Sequence, residues 1–171
     1  YIGSINDEVN EYEPDTIAAV ATPPGEGAVG IIRISGPSAS PILKELFRPD
    51  HGWLSGLRPF QLSHGWLEIS EEKIDEVMAV VMKGPKSYTG EDMAEIHTHG
   101  SPVILDQILE NILSRGARPA EPGEFTRRAF LNGKMDLTRA ESVAWLISAR
   151  SRREAACAAR QLQGGLKAGL V

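Results

Sequence analysis

The sequence predicts an α+β fold in which strands dominate before residue 100 and helices dominate after it. Short runs rich in β-branched residues, separated by glycine and proline, are typical of strands. Two segments, near residues 40–47 and 102–112, have apolar side chains at helical spacing, and each follows such a run. We therefore expect a sheet with two packed helices, followed by a helical segment.

The first two predicted strands, residues 16–21 and 28–35, are joined by the turn-forming stretch TPPGEG. Gly25, Gly27 and Gly30 have the spacing of a dinucleotide-binding loop. That motif opens a helix, whereas these glycines lead into a β-branched run. We therefore interpret the stretch as a hairpin connection.

Arg33 is the one charged residue on an otherwise apolar face of the second strand, which it shares with Val29 and Ile31. A buried guanidinium without a partner is energetically costly. We therefore expect a carboxylate or an anionic ligand opposite Arg33.

The next segments predict a helix and then a second hairpin. The helix begins at Ser40, includes Phe47 as an apolar position and stops before Pro49. Residues 60–69 and 74–82 have strand character and are joined across the polar turn SEEK. The loop GPKSYTGED follows and is rich in turn residues.

Residues 93–98 predict a strand whose two faces differ in chemistry. Glu95, His97 and His99 alternate with Ala94, Ile96 and Thr98. Gly100 ends this strand, and Ser101 with Pro102 begins the following helix. The ionisable face therefore lies beside the free amides of a helix N-terminus, which suits an anionic or polar ligand.

Two stretches of the chain share a pattern, RISGPSASPILKELF and IHTHGSPVILDQIL. Gly36 and Gly100 are in register in this comparison, so Arg33 and His97 hold equivalent positions. The pattern predicts two similar strand-helix units that face one another across a shared cleft. A chance resemblance explains so short a match equally well.

The C-terminal part predicts helices. Residues 125–131 form a short helix ended by Asn-Gly, and Lys134 lies in the next connection. Thr138 and Glu141 match a capping box, and a long helix is expected from there to about Gln163. The chain ends inside an apolar segment, which predicts that the natural protein continues.

Composition excludes several classes of protein. The net charge of -5 combines -11 through Ser114 with +6 from Arg115 onward, so a basic limb follows an acidic body. This limb is either a phosphate contact or a solvated helix face.

The single Cys157 excludes a disulfide framework. No apolar run approaches the length of a membrane span, and residues 1–14 resemble a flexible lead-in rather than a signal sequence, so we expect a cytoplasmic protein.

Two chemistries remain open for the ionisable strand. Glu95, His97 and His99 are candidate metal ligands, which would fit a metal-dependent hydrolase. Alternatively, the histidines are hydrogen-bonded polar residues at a cleft. The sequence contains neither a G-x-S-x-G nucleophile motif nor a G-x-x-x-x-G-K-[ST] phosphate loop.

Four segments, TPPGEGAVGIIRISGPSA, YTGEDMAEIHTHGSPVIL, RPAEPGEFTRRAFLNGKMDLTRAESV and ISAR, resemble the N-terminal part of the tRNA modification GTPases called MnmE or TrmE. The resemblance implies a tetrahydrofolate-binding and dimerisation domain over residues 15–134, after the lead-in. It also implies that residues 135–171 begin a helical domain, interrupted in the family by a GTPase domain absent from this chain.

The resemblance further implies that Arg33, Glu95 and Lys134 bind 5-formyl-tetrahydrofolate or 5,10-methylene-tetrahydrofolate, with Arg33 and Glu95 holding opposite ends of the ligand. No catalytic or metal-binding residue is assigned. The family, with the FAD-dependent partner MnmG, installs carboxymethylaminomethyl groups at carbon 5 of the wobble uridine of tRNA. The complete protein uses GTP, magnesium and potassium, whose motifs this chain lacks. A purely structural dimerisation domain is the remaining alternative.

Overall fold

The computed structural model describes residues 15–50 and 57–164, which form seven strands and five helices. In chain order these are β1 (Thr16–Val20), β2 (Gly27–Ser35), α1 (Ala39–Leu46), β3 (Phe47–Pro49), β4 (Ser63–Ile69), β5 (Glu72–Met82), β6 (Met93–Gly100), α2 (Pro102–Leu113), β7 (Ala117–Pro119), α3 (Glu124–Leu131), α4 (Leu137–Ser148) and α5 (Arg152–Leu162). The predicted lead-in, residues 1–14, lies outside the described residues.

All seven strands belong to one sheet, in the order β3-β4-β5-β6-β2-β1-β7. Neighbouring strands are antiparallel except β1 and β7, which are parallel. The sheet and the helices confirm the predicted α+β class. The hairpin between β1 and β2 is also confirmed, since these strands pair directly.

The hydrophobic core lies on one face of the sheet, beneath α1 and α2. Ile32 and Ile96 from the two central strands pack with Leu43 of α1 and Ile108 of α2, and all four are inaccessible to solvent. Each such side chain contributes about 1.5–3 kcal/mol on burial. Because side chains alternate along a strand, the opposite face carries Arg33 and Glu95.

The two similar strand-helix units are present, but they lie side by side. Strands β2 and β6 are adjacent and antiparallel, and each is followed by a helix on the same face of the sheet. The expectation that the units face one another across a cleft is therefore wrong. They share one continuous sheet because the backbone groups of β2 and β6 pair with each other.

Two predicted boundaries in the middle of the chain are wrong. Phe47 does not continue α1 but begins β3, where it pairs with Leu67 and buries its ring. The proline at the end of β3 is tolerated because this strand lies at the sheet edge. Residues 60–62 precede β4 rather than belonging to it, and Phe60 has a φ of 64°, which a strand does not accommodate.

The predicted capping box and long C-terminal helix are also wrong. Asp136, not Thr138, caps α4 by accepting a hydrogen bond from the Arg139 amide at 2.9 Å. The helical region is then broken between α4 and α5. Ser151 caps α5 by accepting from the Glu154 amide at 3.2 Å, so the signature S-x-x-E at this point starts a new helix.

Candidate cofactor-binding site

Arg33 and Glu95 lie directly opposite each other on β2 and β6 and form an ion pair. Arg33 Nε and Nη2 both lie 2.8 Å from Glu95 Oε1. The other carboxylate oxygen, Oε2, is 3.1 Å from Nε2 of His97. The expected carboxylate partner of Arg33 is therefore confirmed, and it comes from a strand 62 residues away in sequence.

The two side chains contact each other, so the expectation that they hold opposite ends of a ligand is wrong for this arrangement. They instead present one joined surface, on which guanidinium donors and carboxylate acceptors stand side by side. The Arg33 side chain is 30% exposed and that of Glu95 is 15% exposed, so both are partly open to solvent.

Two aromatic rings flank the Arg33 guanidinium, and sequence reasoning did not single out either of them. Its central carbon lies 5.5 Å from the ring centre of Tyr88 and 5.6 Å from that of Phe125. These distances are within the range of cation–π attraction. The Tyr88 hydroxyl also shares a hydrogen bond of 2.9 Å with Thr126 of α3. In the sequence, these residues are visible only as a tyrosine and a phenylalanine in segments rich in glycine and proline. Nothing in those segments indicates that both rings contact Arg33.

Lys134 lies beside the loop that carries Tyr88. It follows Gly133, whose φ of 70° ends the turn after α3. Its Nζ donates a hydrogen bond to the carbonyl of Pro85 at 2.6 Å, and its side chain is close to Gly90. The fold therefore brings Lys134 to the same loop as Tyr88, and its ammonium group donates to the backbone of that loop rather than to Glu95.

A buried arginine of α3 connects the elements around this site. The Arg128 side chain is 3% exposed and donates from Nη1 to both carboxylate oxygens of Glu91 at 3.2 Å. Glu91 in turn accepts a hydrogen bond from Ser35 at 2.6 Å. Because Ser35 lies two residues after Arg33, this network ties the loop and α3, which supply Tyr88 and Phe125, to β2.

Glu124 is a second carboxylate partner of Arg128 and also pairs with Arg118. Its side chain is fully buried and accepts two hydrogen bonds from Arg118, at 2.6 and 2.9 Å. It also accepts from the Glu121 amide at 2.8 Å and from Arg128 at 3.2 Å. These hydrogen bonds, led by those from Arg118, lower the pKa of Glu124 to about 2 against the opposing effect of burial. Asp15, which contacts both arginines, completes the arrangement.

The three candidate metal ligands do not converge on one point. His97 is directed to Glu95, whereas Nδ1 of the exposed His99 lies 2.7 Å from Asp75. The Asp75 hydrogen bond raises the pKa of His99. Within residues 15–50 and 57–164, no cluster of three or more His, Cys, Asp or Glu is placed to hold a metal ion. The metal-dependent hydrolase therefore has no support in the geometry.

A groove of about 440 Å³ lies next to the ion pair on the polar face of the sheet. His97 lines it and contacts Glu95, and His64, Glu76 and Met78 form much of the remaining wall. This volume is within the range of small-molecule sites. The groove is large enough for part of a drug-sized ligand, but Arg33, Glu95 and Lys134 do not line it, and it is connected to the ion pair through His97.

The family model described as GTP-binding protein TrmE N-terminus matches residues 16–134, which include Arg33, Glu95 and Lys134. The chain belongs to this family. The TrmE match covers all seven strands and α1 to α3, and the predicted resemblance is thereby confirmed.

Relatives named tRNA modification GTPase MnmE support the same assignment. The chain is 53% identical to the protein of Nitratidesulfovibrio vulgaris over 150 residues, which are 88% of this chain and 33% of that protein. It is 51% identical to the Thermotoga maritima protein over 153 residues, or 90% of this chain and 33% of that protein. The Symbiobacterium thermophilum protein is 48% identical over 155 residues, 90% of this chain and 34% of that protein. The chain therefore spans about a third of the length of these relatives.

None of the helices in the described part of the chain has the length and apolar character required to cross a membrane.

Proposed function

We propose that this chain is the folate-binding part of a tRNA-modifying GTPase, and that Arg33, Glu95 and Lys134 bind 5-formyl-tetrahydrofolate or 5,10-methylene-tetrahydrofolate. The observation that carries the proposal is the partly exposed ion pair of Arg33 and Glu95, which His97 connects to a neighbouring groove. The residues present fit such a ligand in charge, hydrogen-bonding capacity and ring contacts.

The ion pair suits the pterin edge because that edge carries N–H donors next to a carbonyl acceptor. Glu95 accepts from the pterin amino and ring N–H groups, and Arg33 donates to the carbonyl oxygen. His97 holds the second carboxylate oxygen at 3.1 Å, which orients Glu95 for this role. The two side chains thus bind one edge of the ligand together.

The surrounding residues extend this recognition. Tyr88 and Phe125 both lie within cation–π distance of the Arg33 guanidinium, and these contacts reduce the orientational freedom that Arg33 loses on binding. Lys134 is exposed and cationic, and it attracts the carboxylates of the folate glutamate tail. Bound folate supplies the one-carbon unit, whereas this chain supplies binding and orientation.

The complete protein, in this proposal, hydrolyses GTP with magnesium and potassium and acts in the cytoplasm. It forms a homodimer through the domain of residues 15–134, with residues 135–171 beginning a helical domain. Together with the FAD-dependent MnmG, it installs carboxymethylaminomethyl groups at carbon 5 of the wobble uridine of tRNA. The relatives named tRNA modification GTPase support this wider function.

Calorimetric titration of the chain with 5-formyl-tetrahydrofolate tests the site. We expect Glu95→Gln to weaken binding by at least about tenfold, because a hydrogen bond to a charged group contributes about 1.5–3 kcal/mol. Glu110→Gln is the matched control, since Glu110 is exposed on α2, on the opposite face of the sheet. Its affinity should equal that of the unmodified chain.

Equal affinities for Glu95→Gln and the control would refute the site. Absence of folate binding by the unmodified chain, combined with a dimer in sedimentation, would instead support the structural dimerisation domain. Thermal unfolding of each variant shows whether a lost affinity reflects a lost fold.

A further inference from the structure

Three arginines at the junction of α4 and α5 form an exposed cationic surface, called here the arginine turn. Arg150 precedes α5, and Arg152 and Arg153 are its first two residues. All three are exposed, and within residues 15–50 and 57–164 none has a carboxylate partner among the ion pairs. By contrast, Arg33 and Arg128 are paired with carboxylates.

The nearby Glu154 offsets one of these three positive charges but forms no ion pair with any of the guanidinium groups. The Glu154 carboxylate accepts a hydrogen bond from the backbone amide of Arg150 at 2.7 Å. The Glu154 amide is itself bonded to Ser151. These contacts satisfy the backbone amides of Arg150 and Glu154 at the start of α5. The hydrogen-bond donors that remain for an anionic ligand are therefore the guanidinium groups.

The position of these charges is unfavourable for the helix itself. Positive side chains stabilise a helix at its C-terminus and oppose the helix dipole at its N-terminus. Arg152 and Arg153 lie at the N-terminus of α5, and the like charge of Arg150 adjoins them. Helix stability therefore does not account for the arginine turn, and a solvated helix face or an external polyanion remains as the explanation.

The charge distribution and an exposed aromatic favour a nucleic acid as that polyanion. Residues through Ser114 carry a net charge of -11, which repels phosphates, while those from Arg115 onward carry +6. Trp145, on α4 five residues before Arg150, is 43% exposed. Unpaired bases stack on such rings.

We propose that Arg150, Arg152 and Arg153 bind the phosphate backbone of RNA. The identification of that RNA as tRNA rests on the proposed function, but the phosphate contact does not. The contact positions the RNA without reading its sequence, because guanidinium groups on phosphates carry no base information. The arginine turn is thus an RNA-docking surface separate from the residues proposed to bind folate.

Fluorescence anisotropy with labelled tRNA, in KCl between about 50 and 200 mM, tests this proposal. The test variant replaces Arg150, Arg152 and Arg153 together with glutamine. We expect at least tenfold weaker binding at the lower salt concentration. The slope of log K against log salt should fall in magnitude by about 2 to 3, since each lost phosphate contact removes about 0.7–0.9.

The matched control replaces Arg48, Arg115 and Arg127 with glutamine. It changes the net charge by the same amount, but these arginines pair with Glu68, Glu45 and Glu121 at 3.1, 3.1 and 3.0 Å. We expect the control variant to retain the affinity and salt slope of the unmodified chain. The arginine-turn variant should unfold at the same or a slightly higher temperature than the unmodified chain, because the replaced charges oppose the helix dipole. Its affinity for 5-formyl-tetrahydrofolate should be unchanged.

Several results would overturn the proposal. These are no tRNA binding by the unmodified chain, equal losses in both triple variants, or binding to phosphatidylserine-containing vesicles in place of tRNA. Equal losses would show that only net charge matters, and vesicle binding would indicate a membrane surface. Failure to bind folate would refute the proposed function and leave the RNA measurement interpretable, because the two ligands are titrated separately.

Discussion

Replacing Glu124 with glutamine tests whether the buried ionic network stabilises the fold. Its carboxylate is fully buried, and four of its hydrogen bonds come from Arg118, Arg128 and the Glu121 amide. These donors lower its pKa from 4.5 to about 2. A shift of this size corresponds to about 3 kcal/mol in the free energy of unfolding. We expect Glu124→Gln to lose about that amount at pH 7.

The pH dependence distinguishes charge from shape. Because the pKa of Glu124 is lower in the folded state, its contribution is complete above the unfolded value of 4.5 and is lost as the pH falls towards about 2. At pH 3 the remaining difference between the native chain and the glutamine variant should be about 1.5 kcal/mol. Urea unfolding followed by circular dichroism at both pH values measures this change.

Glu121→Gln provides the matched control. Glu121 is in the same segment, but its side chain is 63% exposed and pairs with the exposed Arg127. Its loss should be within about 0.5 kcal/mol at either pH. A loss below about 1 kcal/mol for Glu124→Gln at pH 7 would refute the role of the network. An equal loss at pH 3 and pH 7 would show that packing, rather than charge, is the cause.

Two further predictions concern the sheet and its surface. Gly65→Ala should lower the free energy of unfolding by about 3 kcal/mol in urea unfolding, because the added carbon would lie 2.2 Å from the Arg48 carbonyl oxygen. Gly27→Ala, whose nearest contact is 3.7 Å, should cost less than about 1 kcal/mol, and equal costs would contradict this reasoning. In an NMR titration, Asp75→Asn should move the pKa of His99 down towards 6.5, since the Asp75 hydrogen bond raises it in the native chain. An unchanged titration would show that Asp75 is not the cause.

Local sequence patterns predicted the strands that carry the candidate site. Alternation in residues 93–98 placed Glu95 and His97 on one face, and β6 has Ala94 and Ile96 buried on the other. The expectation that Arg33 has a carboxylate partner is likewise confirmed. Both inferences succeeded because side-chain alternation and the cost of burying a lone charge act within a few residues.

Other features were not predictable from local patterns. The three-residue strands β3 and β7 are too short for periodicity to reveal them, and they exist because neighbouring strands supply hydrogen-bond partners. The break before α5 was readable in principle, since Ser151 and Glu154 have capping-box spacing. The long-helix prediction started from the capping-box spacing of Thr138 and Glu141 and overlooked this second start signal.

The sequence by itself determined the α+β class, the two faces of β6 and the family to which the chain belongs, because these depend on residue types at short spacing. Only the tertiary structure decided that Glu95 lies opposite Arg33 and that Phe125 closes over the guanidinium with Tyr88. These residues come from segments far apart in the chain. Their meeting depends on strand register and on the packing of α3, which are properties of the whole fold.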